Sequence, residues 1–130
     1  MEEVKIHSGT RVKLKRINET HLEPDFLERL RDFAHRQEEI EAVFLFAIEA
    51  EGAQEHPAMA IAMREHWLSR KSEEFLRLVD EIQLLLPADF AVNVYRFDAS
   101  DIIAHYCLDN LQPLYLRSEP WLKRQKKKLG

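Results

Sequence analysis

The stretch that decides the fold is IEAVFLFAIE at residues 40–49, AEGAQEH at 50–56 and PAMAIAMR at 57–64. The first segment is apolar on both alternating faces, which is typical of a strand near the middle of a sheet or covered on both sides. The second is polar and contains a glycine, so it indicates a hairpin loop. The third alternates bulky methionine and isoleucine with alanine. Alanine favours helices, but the strict period of two predicts a second strand.

Two more strands are predicted outside this hairpin. TRVKLKR at 10–16 alternates apolar and basic residues, which indicates a half-buried strand whose lysines suit a sheet edge. FAVNVYRF at 90–97 is rich in β-branched and aromatic residues and predicts a fourth strand.

Helical patterns separate and follow these strands. Residues 24–37 begin with a proline and carry apolar residues at the spacing of one helical face. Residues 72–86 show the same spacing, with Ser72 as the expected N-cap and a proline just beyond the end. Asp98 or Ser100 is expected to cap a third helix.

The element order β-α-β-β-α-β-α predicts an α+β fold. The simplest layered arrangement is a mostly antiparallel four-stranded sheet with two to three helices packed on it. The chain has 130 residues, the usual size of one domain. We expect a single domain over residues 1–118 and a flexible basic tail over 119–130.

Composition excludes several classes of site. Three glycines do not make a phosphate-binding loop, and one cysteine excludes an intrachain disulfide and a multi-cysteine zinc site.

The net charge of −4 is unevenly spread: residues 1–20 carry +2, residues 21–110 carry −11 and residues 111–130 carry +5. Such an arrangement favours a basic partner at the acidic middle.

Six histidines and the single cysteine are the natural candidates for metal or nucleophilic chemistry. The histidines are scattered over all element types and no HExxH motif occurs, so we expect no metal site. Cys107 and His105 are two residues apart, a spacing that turns them to different faces of a helix. We therefore expect Cys107 to act as a small buried hydrophobe, and we predict neither a catalytic residue nor a cofactor.

The candidate binding residues are aromatic and acidic. Aromatic side chains with a polar tip are over-represented at binding hot spots, and acidic residues cluster at both ends of the first hairpin strand, where a solvated surface is expected. The predicted partner-binding residues are Trp67, Tyr95, Tyr115, Trp121, Glu38 and Glu41.

The basic run at 123–128 follows Trp121, a combination that suits nucleic acid by charge and stacking. The acidic body would repel a phosphate backbone, however. A solubilising tail is therefore the favoured interpretation, and contact with nucleic acid is disfavoured.

Three segments together carry a family resemblance. GTRVKL at 9–14, EIEAVFLFAIE at 39–49 and the long run from 88 to 118 (ADFAVNVYRFDASDIIAHYCLDNLQPLYLRS) resemble the C-terminal domain of the SseB, or enhanced serine sensitivity, proteins. The resemblance implies the fold and a bacterial, cytoplasmic setting, but no reaction, cofactor or residue role. We expect a stand-alone copy of this domain, without the N-terminal SseB domain of the two-domain members, and the basic extension after Glu119 is a further difference from them.

The function expected from these observations is a non-enzymatic binding module that acts through protein–protein contacts. Its protein partner is unknown, and a homo-oligomer is one form that such contact can take. The alternative is a small-metabolite sensor or an enzyme linked to serine or sulfur metabolism. The longest uncharged apolar run is far shorter than a bilayer span, so we expect no membrane partner and a cytoplasmic location.

Overall fold

A computed structural model describes residues 2–7, 10–17, 22–50, 54–64, 71–86 and 92–129 of the chain. These ranges contain six strands, four α-helices and one short 3-10 helix. In chain order the elements are β1 (Glu2–His7), β2 (Thr10–Lys15), α1 (Pro24–Arg36), β3 (Ile40–Ala50), β4 (Glu55–Met63), α2 (Lys71–Leu85), β5 (Asn93–Arg96), a short 3-10 helix (Phe97–Ala99), α3 (Asp101–Asn110), β6 (Tyr115–Leu116) and α4 (Glu119–Leu129).

The strands form one sheet in the order β1-β2-β3-β4-β5. Every neighbouring pair is antiparallel except β4 and β5, which are parallel. The two-residue strand β6 pairs with β3 on the edge that β2 also uses, but at the other end of β3. The mixed α+β fold with a mostly antiparallel sheet, predicted from the sequence, is thereby confirmed.

The β3–β4 hairpin is the centre of the sheet, and its two faces support separate cores. Phe44 and Phe46 pack on one face with residues of α3 and α4, whereas Leu45 and Met59 pack on the other with residues of α1 and α2. All four side chains are buried. The apolar character of β3 on both faces follows from this double cover.

Helix α1 has the buried face that its sequence predicts. Its buried residues are Phe26, Leu27, Leu30, Phe33 and Ala34. Pro24 is the first helical residue, where its missing N–H costs no hydrogen bond.

The starts of the other two predicted helices differ in their agreement with the sequence. Ser100 is the N-cap of α3, and its Oγ accepts the backbone N–H groups of Ile102 (3.1 Å) and Ile103 (3.3 Å). The N-cap prediction for Ser72 is wrong, because α2 already includes Lys71. Residues 90 and 91 of the strand expected at 90–97 lie outside the described residues; in the rest of that segment β5 covers Asn93–Arg96, and the chain then turns into the 3-10 helix.

The prediction of four strands and two to three helices is too low. Strand β1 pairs with β2 at the sheet edge. Strand β6 pairs with β3, and the residues on either side of β6 also bond to β3: the N–H of Leu114 donates to Val43 O (2.8 Å) and the N–H of Arg117 donates to Glu41 O (2.9 Å). The segment expected to be a flexible tail contains α4, because Trp121 supplies an apolar anchor. Its ring is 5% exposed and lies edge-on against Phe97, with the centroids 5.5 Å apart.

None of the helices in the described ranges has the length and apolar character that crossing a bilayer requires.

Candidate functional site

The outward face of α2 exposes two leucines on either side of an acid. Leu76, Asp80 and Leu84 follow one another at intervals of four residues, so they share one side of the helix. Leu76 is 63% exposed and Leu84 is 86% exposed. Glu73, also exposed, lies on the same side one heptad before Asp80. We call this set (Glu73, Leu76, Asp80 and Leu84) the α2 face.

The inward face of α2 explains why these leucines are outside. Leu78 and Ile82 are fully buried against the sheet, and Phe75 and Leu85 pack partly against the same core. Leu76 and Leu84 lie off this stripe and contribute no packing to it. Exposed apolar side chains on one side of a helix, with polar residues around them, are typical of a contact surface.

An acidic cluster adjoins the α2 face, and Arg77 is at its centre. The guanidinium donates from Nε to Glu74 Oε2 (3.1 Å), from Nη1 to Glu81 Oε2 (2.7 Å) and from Nη2 to Gln37 Oε1 (3.3 Å). Nη2 also donates to Glu39 Oε1. We call Glu39, Glu74, Glu81 and Arg77 the Arg77 cluster.

Three carboxylates around one guanidinium leave the Arg77 cluster with a net charge of −2. Partial burial favours the neutral form of Arg77, but the hydrogen bond to Glu74 and the charges of Glu39 and Glu81 outweigh it, so the pKa of Arg77 is raised. Arg77 therefore stays charged and ties α2 to the start of β3, while the surplus negative charge faces solvent.

The two predicted acidic binding residues have different positions. Glu38 is exposed in the turn before β3, next to Glu39, and its carbonyl accepts a bond from Arg64 Nη1 (3.4 Å). Glu41 is buried, with 8% of its surface exposed. The pairing of β3 with β4 shifts register between Ile40 and Ala42, and Glu41 lies at this irregularity. Only Glu38 of the two is accessible at the surface.

The acids at the far end of the hairpin are not part of this cluster. Glu49 and Glu55 both contact Lys15, with Nζ–Oε2 distances of 2.6 and 3.1 Å. The hydrogen bond to Glu49, followed by that to Glu55, raises the pKa of Lys15, and the same bond lowers the pKa of Glu49. This group is a solvated ion-pair surface, as expected for that end of the hairpin.

The aromatic candidates are dispersed. Tyr95 is half-buried, and burial raises the pKa of its phenol. Tyr115 lies between the Arg117 guanidinium, 5.6 Å from its ring centroid, and His35, whose ring is edge-on at 6.2 Å. Trp121 is in the core, and the prediction for Trp67 lies outside the described residues.

Glu38 thus directly precedes Glu39 of the Arg77 cluster in the chain, whereas Tyr95, Tyr115 and Trp121 lie on other elements. Sequence reasoning missed Leu76 and Leu84, although the signal was present: in the 3.6-residue period both fall outside the apolar stripe of α2.

Groups suited to metal or nucleophilic chemistry do not converge in the described part of the chain. No three histidine, cysteine, aspartate or glutamate side chains come together there in a way that suits a metal ion. Cys107 is fully buried in α3, and burial raises the pKa of its thiol to about 12. A thiol held in this neutral form is not a nucleophile at neutral pH.

Helix α4 presents a second charged surface, of opposite sign. Its anchor, Trp121, is buried, while its lysines and arginine point to solvent. The exposed bases are Lys123, Arg124, Lys126, Lys127 and Lys128.

The described molecule is thus a small α+β domain with helices on both sheet faces, an acidic, partly apolar surface on one helical layer and a basic helix on the other. A comparison with family models identifies it further: residues 6–117 match the SseB protein C-terminal domain, and the chain belongs to that family. The comparisons with curated proteins and with solved structures found no match.

Proposed function

We propose that this domain is a non-enzymatic protein-binding module, and that its contact surface is the α2 face together with the Arg77 cluster. The observation that carries the proposal is the exposure of Leu76 and Leu84 beside a group of carboxylates with net negative charge. The partner is a basic segment with apolar side chains, because it must both cover the leucines and match the charge.

The free energies of leucine burial and of association indicate how strong this interface can be. Burying one leucine side chain contributes about 1.5–3 kcal/mol, so the two leucines supply roughly 3–6 kcal/mol. Association costs at least about 4 kcal/mol in lost translational and rotational freedom. The leucines alone therefore give little net affinity, and charge attraction at Glu73, Asp80 and the Arg77 cluster must contribute. We expect salt-sensitive binding.

The test compares paired variants in affinity capture from a lysate of the source cells. The variant Leu76→Ser/Leu84→Ser removes both apolar anchors from exposed positions, so folding is expected to be unaffected. Ile102→Ser, at an exposed position on α3 in the other helical layer, is the matched control. Proteins that bind this surface are captured by the wild type and by the control, and are lost with the double variant.

Further measurements test whether the captured proteins bind through charge and whether the domain associates with itself. Captured proteins should elute as salt is raised, and Asp80→Lys should prevent their capture. If the double variant and the wild type capture the same proteins in the same amounts, the α2 face is not the contact surface. Sedimentation of the purified chain tests the homo-oligomer: self-association through this face gives a mass that falls to the monomer value in the double variant.

A further inference from the structure

A groove opens at an interruption in the sheet, and none of the residues that line it belongs to the α2 face or to the Arg77 cluster. Its volume is about 660 Å³, within the usual range of small-ligand sites. It is bounded by the end of β2, the middle of β3, the C-terminal end of α3 with the segment that follows, and α4. The lining residues used below are Arg16, Ile17, Leu45, Leu108, Asp109 and Lys126.

The interruption leaves residues 44–46 of β3 without a neighbour strand on this edge. Pairing of β3 with β2 ends at Ala47, opposite Lys15, and pairing with β6 begins at Val43, opposite Tyr115. Within the described ranges, Leu45 has no strand partner between them. The carbonyl of Val43 points to this edge, since it accepts the N–H of Leu114. Backbone groups two residues apart point the same way, so the N–H and C=O of Leu45 face the groove.

A backbone N–H and C=O presented side by side match the two polar groups of a single peptide residue. A peptide unit in the groove would make a one-residue antiparallel bridge with Leu45, as added strands do at open sheet edges. The gap is too short for a longer strand, because β2 and β6 close it at both ends. The geometry therefore suits a ligand of two or three residues.

Charges of both signs line the same groove. Arg16 and Lys126 are exposed, and in the part of the chain that the structure describes neither is paired with a carboxylate within 4.0 Å. Asp109 lies in the last turn of α3, where the helix dipole adds partial negative charge. The groove thus offers cationic groups for a carboxylate and an anionic group for an ammonium group.

Apolar side chains complete the lining. Ile17, Leu45 and Leu108 contribute to it, and they provide a surface for an apolar ligand side chain. A free short peptide with apolar side chains has all the complementary parts: a residue whose N–H and C=O lie on the same edge, a terminal carboxylate, a terminal ammonium group and apolar substituents. We propose that this groove binds free, zwitterionic di- or tripeptides with apolar side chains.

The test is a titration of the whole 15N-labelled chain with the dipeptide Leu-Ala, followed by NMR and by calorimetry. We expect shift changes at Leu45 and at the end of α3, and saturable binding. Leu-Ala amide, which lacks the carboxylate, should bind about tenfold more weakly, as should N-acetyl-Leu-Ala, which lacks the ammonium group. Free leucine, which lacks the amide, should also bind more weakly.

Variants that remove charges test which side chains of the groove bind the carboxylate and which bind the ammonium group of the peptide. Arg16→Gln/Lys126→Gln should weaken Leu-Ala about tenfold and leave the weaker binding of Leu-Ala amide unchanged. Asp109→Asn should also weaken the binding of Leu-Ala about tenfold, and it should leave the weaker binding of N-acetyl-Leu-Ala unchanged. Lys123→Gln, on the same helix outside the groove lining, and Asp101→Asn, at the other end of α3, are the matched controls. Thermal unfolding of each variant verifies that it is folded.

The proposal is overturned if Leu-Ala causes no shift changes at millimolar concentration, or if removing either terminal charge leaves the affinity unchanged. Equal affinity for leucine and Leu-Ala excludes the bridge to Leu45. None of these outcomes bears on the α2 face, because the groove and the α2 face share no residue, so the two proposals fail or stand separately.

Discussion

The Arg117 Nε donates a hydrogen bond of 2.8 Å to the carbonyl oxygen of Ile40, the first residue of β3. The same guanidinium reaches the C-terminal end of α1. Its Nη2 donates to the carbonyls of Ala34 (3.3 Å), His35 (3.1 Å) and Gln37 (2.8 Å). One side chain from the segment after β6 therefore joins α1 to the central hairpin, and its positive charge lies at the negative end of the helix dipole.

Replacing Arg117 by alanine should destabilise the fold by about 2–4 kcal/mol, because several part-buried carbonyls lose a charged donor at once. Arg117→Lys should recover little of this, since an ammonium group does not reproduce the planar fork. The measurement is the urea dependence of unfolding. Arg124→Ala, at an exposed position, is the control and should stay within about 0.5 kcal/mol of wild type. Equal midpoints for both alanine variants would contradict this role of Arg117.

The anchor of α4 can be tested in the same way. Trp121→Ala should cost about 3–5 kcal/mol, as expected for a buried tryptophan that contacts Phe97. Hydrogen exchange in α4 should become fast, because the helix loses its apolar contact with the core. Lys127→Ala, on the solvent side, is the control. Slow exchange in α4 of the Trp121→Ala variant would show that the helix is held by something else.

Local sequence patterns were sufficient to predict the strands and helices in which apolar residues recur at a regular interval. The alternation in β3 and β4, the apolar stripe of α1 and the capping serine at position 100 are properties of short sequence windows, and each is found in the structure. Strand β6 is different, because two residues are too few to show an alternation of apolar and polar side chains. They become a strand only through backbone bonds to β3.

The helix at the end of the chain was not predicted, for a related reason. A lysine-rich segment after a proline has the composition of a solvated tail, and only the contact of Trp121 with the distant Phe97 shows that it packs as a helix. The candidate site, too, could be predicted only in part from the sequence. The acidic residues near Glu38 were recognisable from charge, whereas their convergence on Arg77 depends on α2 lying beside the start of β3.

The cap of α3 gives a local stability prediction. Ser100→Ala should destabilise the domain by about 1 kcal/mol, because the N–H groups of Ile102 and Ile103 lose the Oγ acceptor. Ser100→Asp should restore most of the loss, since its carboxylate also accepts these bonds and suits the positive end of the helix dipole. Thermal unfolding of the three proteins measures this. Equal melting temperatures of wild type and Ser100→Ala would rule out a stabilising cap.

The buried thiol of Cys107 should be unreactive in the folded protein. Burial raises its pKa to about 12 from 9.0, so near pH 8 the folded thiol is neutral and also inaccessible to a thiol reagent. We expect no reaction of the native protein with a disulfide reagent, and one equivalent per chain in concentrated guanidinium chloride, because the chain has one cysteine. Rapid reaction of the native protein would contradict the burial of this residue.

The same pKa shift predicts how stability depends on alkaline pH. The folded state holds the thiol proton more tightly than the unfolded state, so the stabilising contribution is complete below about pH 9 and is lost as pH rises towards 12. Across that interval the free energy of unfolding of the wild type should fall faster than that of Cys107→Ala. The difference in slope has an upper limit of about 1.4 kcal/mol per pH unit. Lysines and tyrosines titrate in both proteins and cancel in the comparison. Parallel stability curves for the two proteins between pH 9 and pH 11 would show that the thiol ionises equally in the folded and unfolded states.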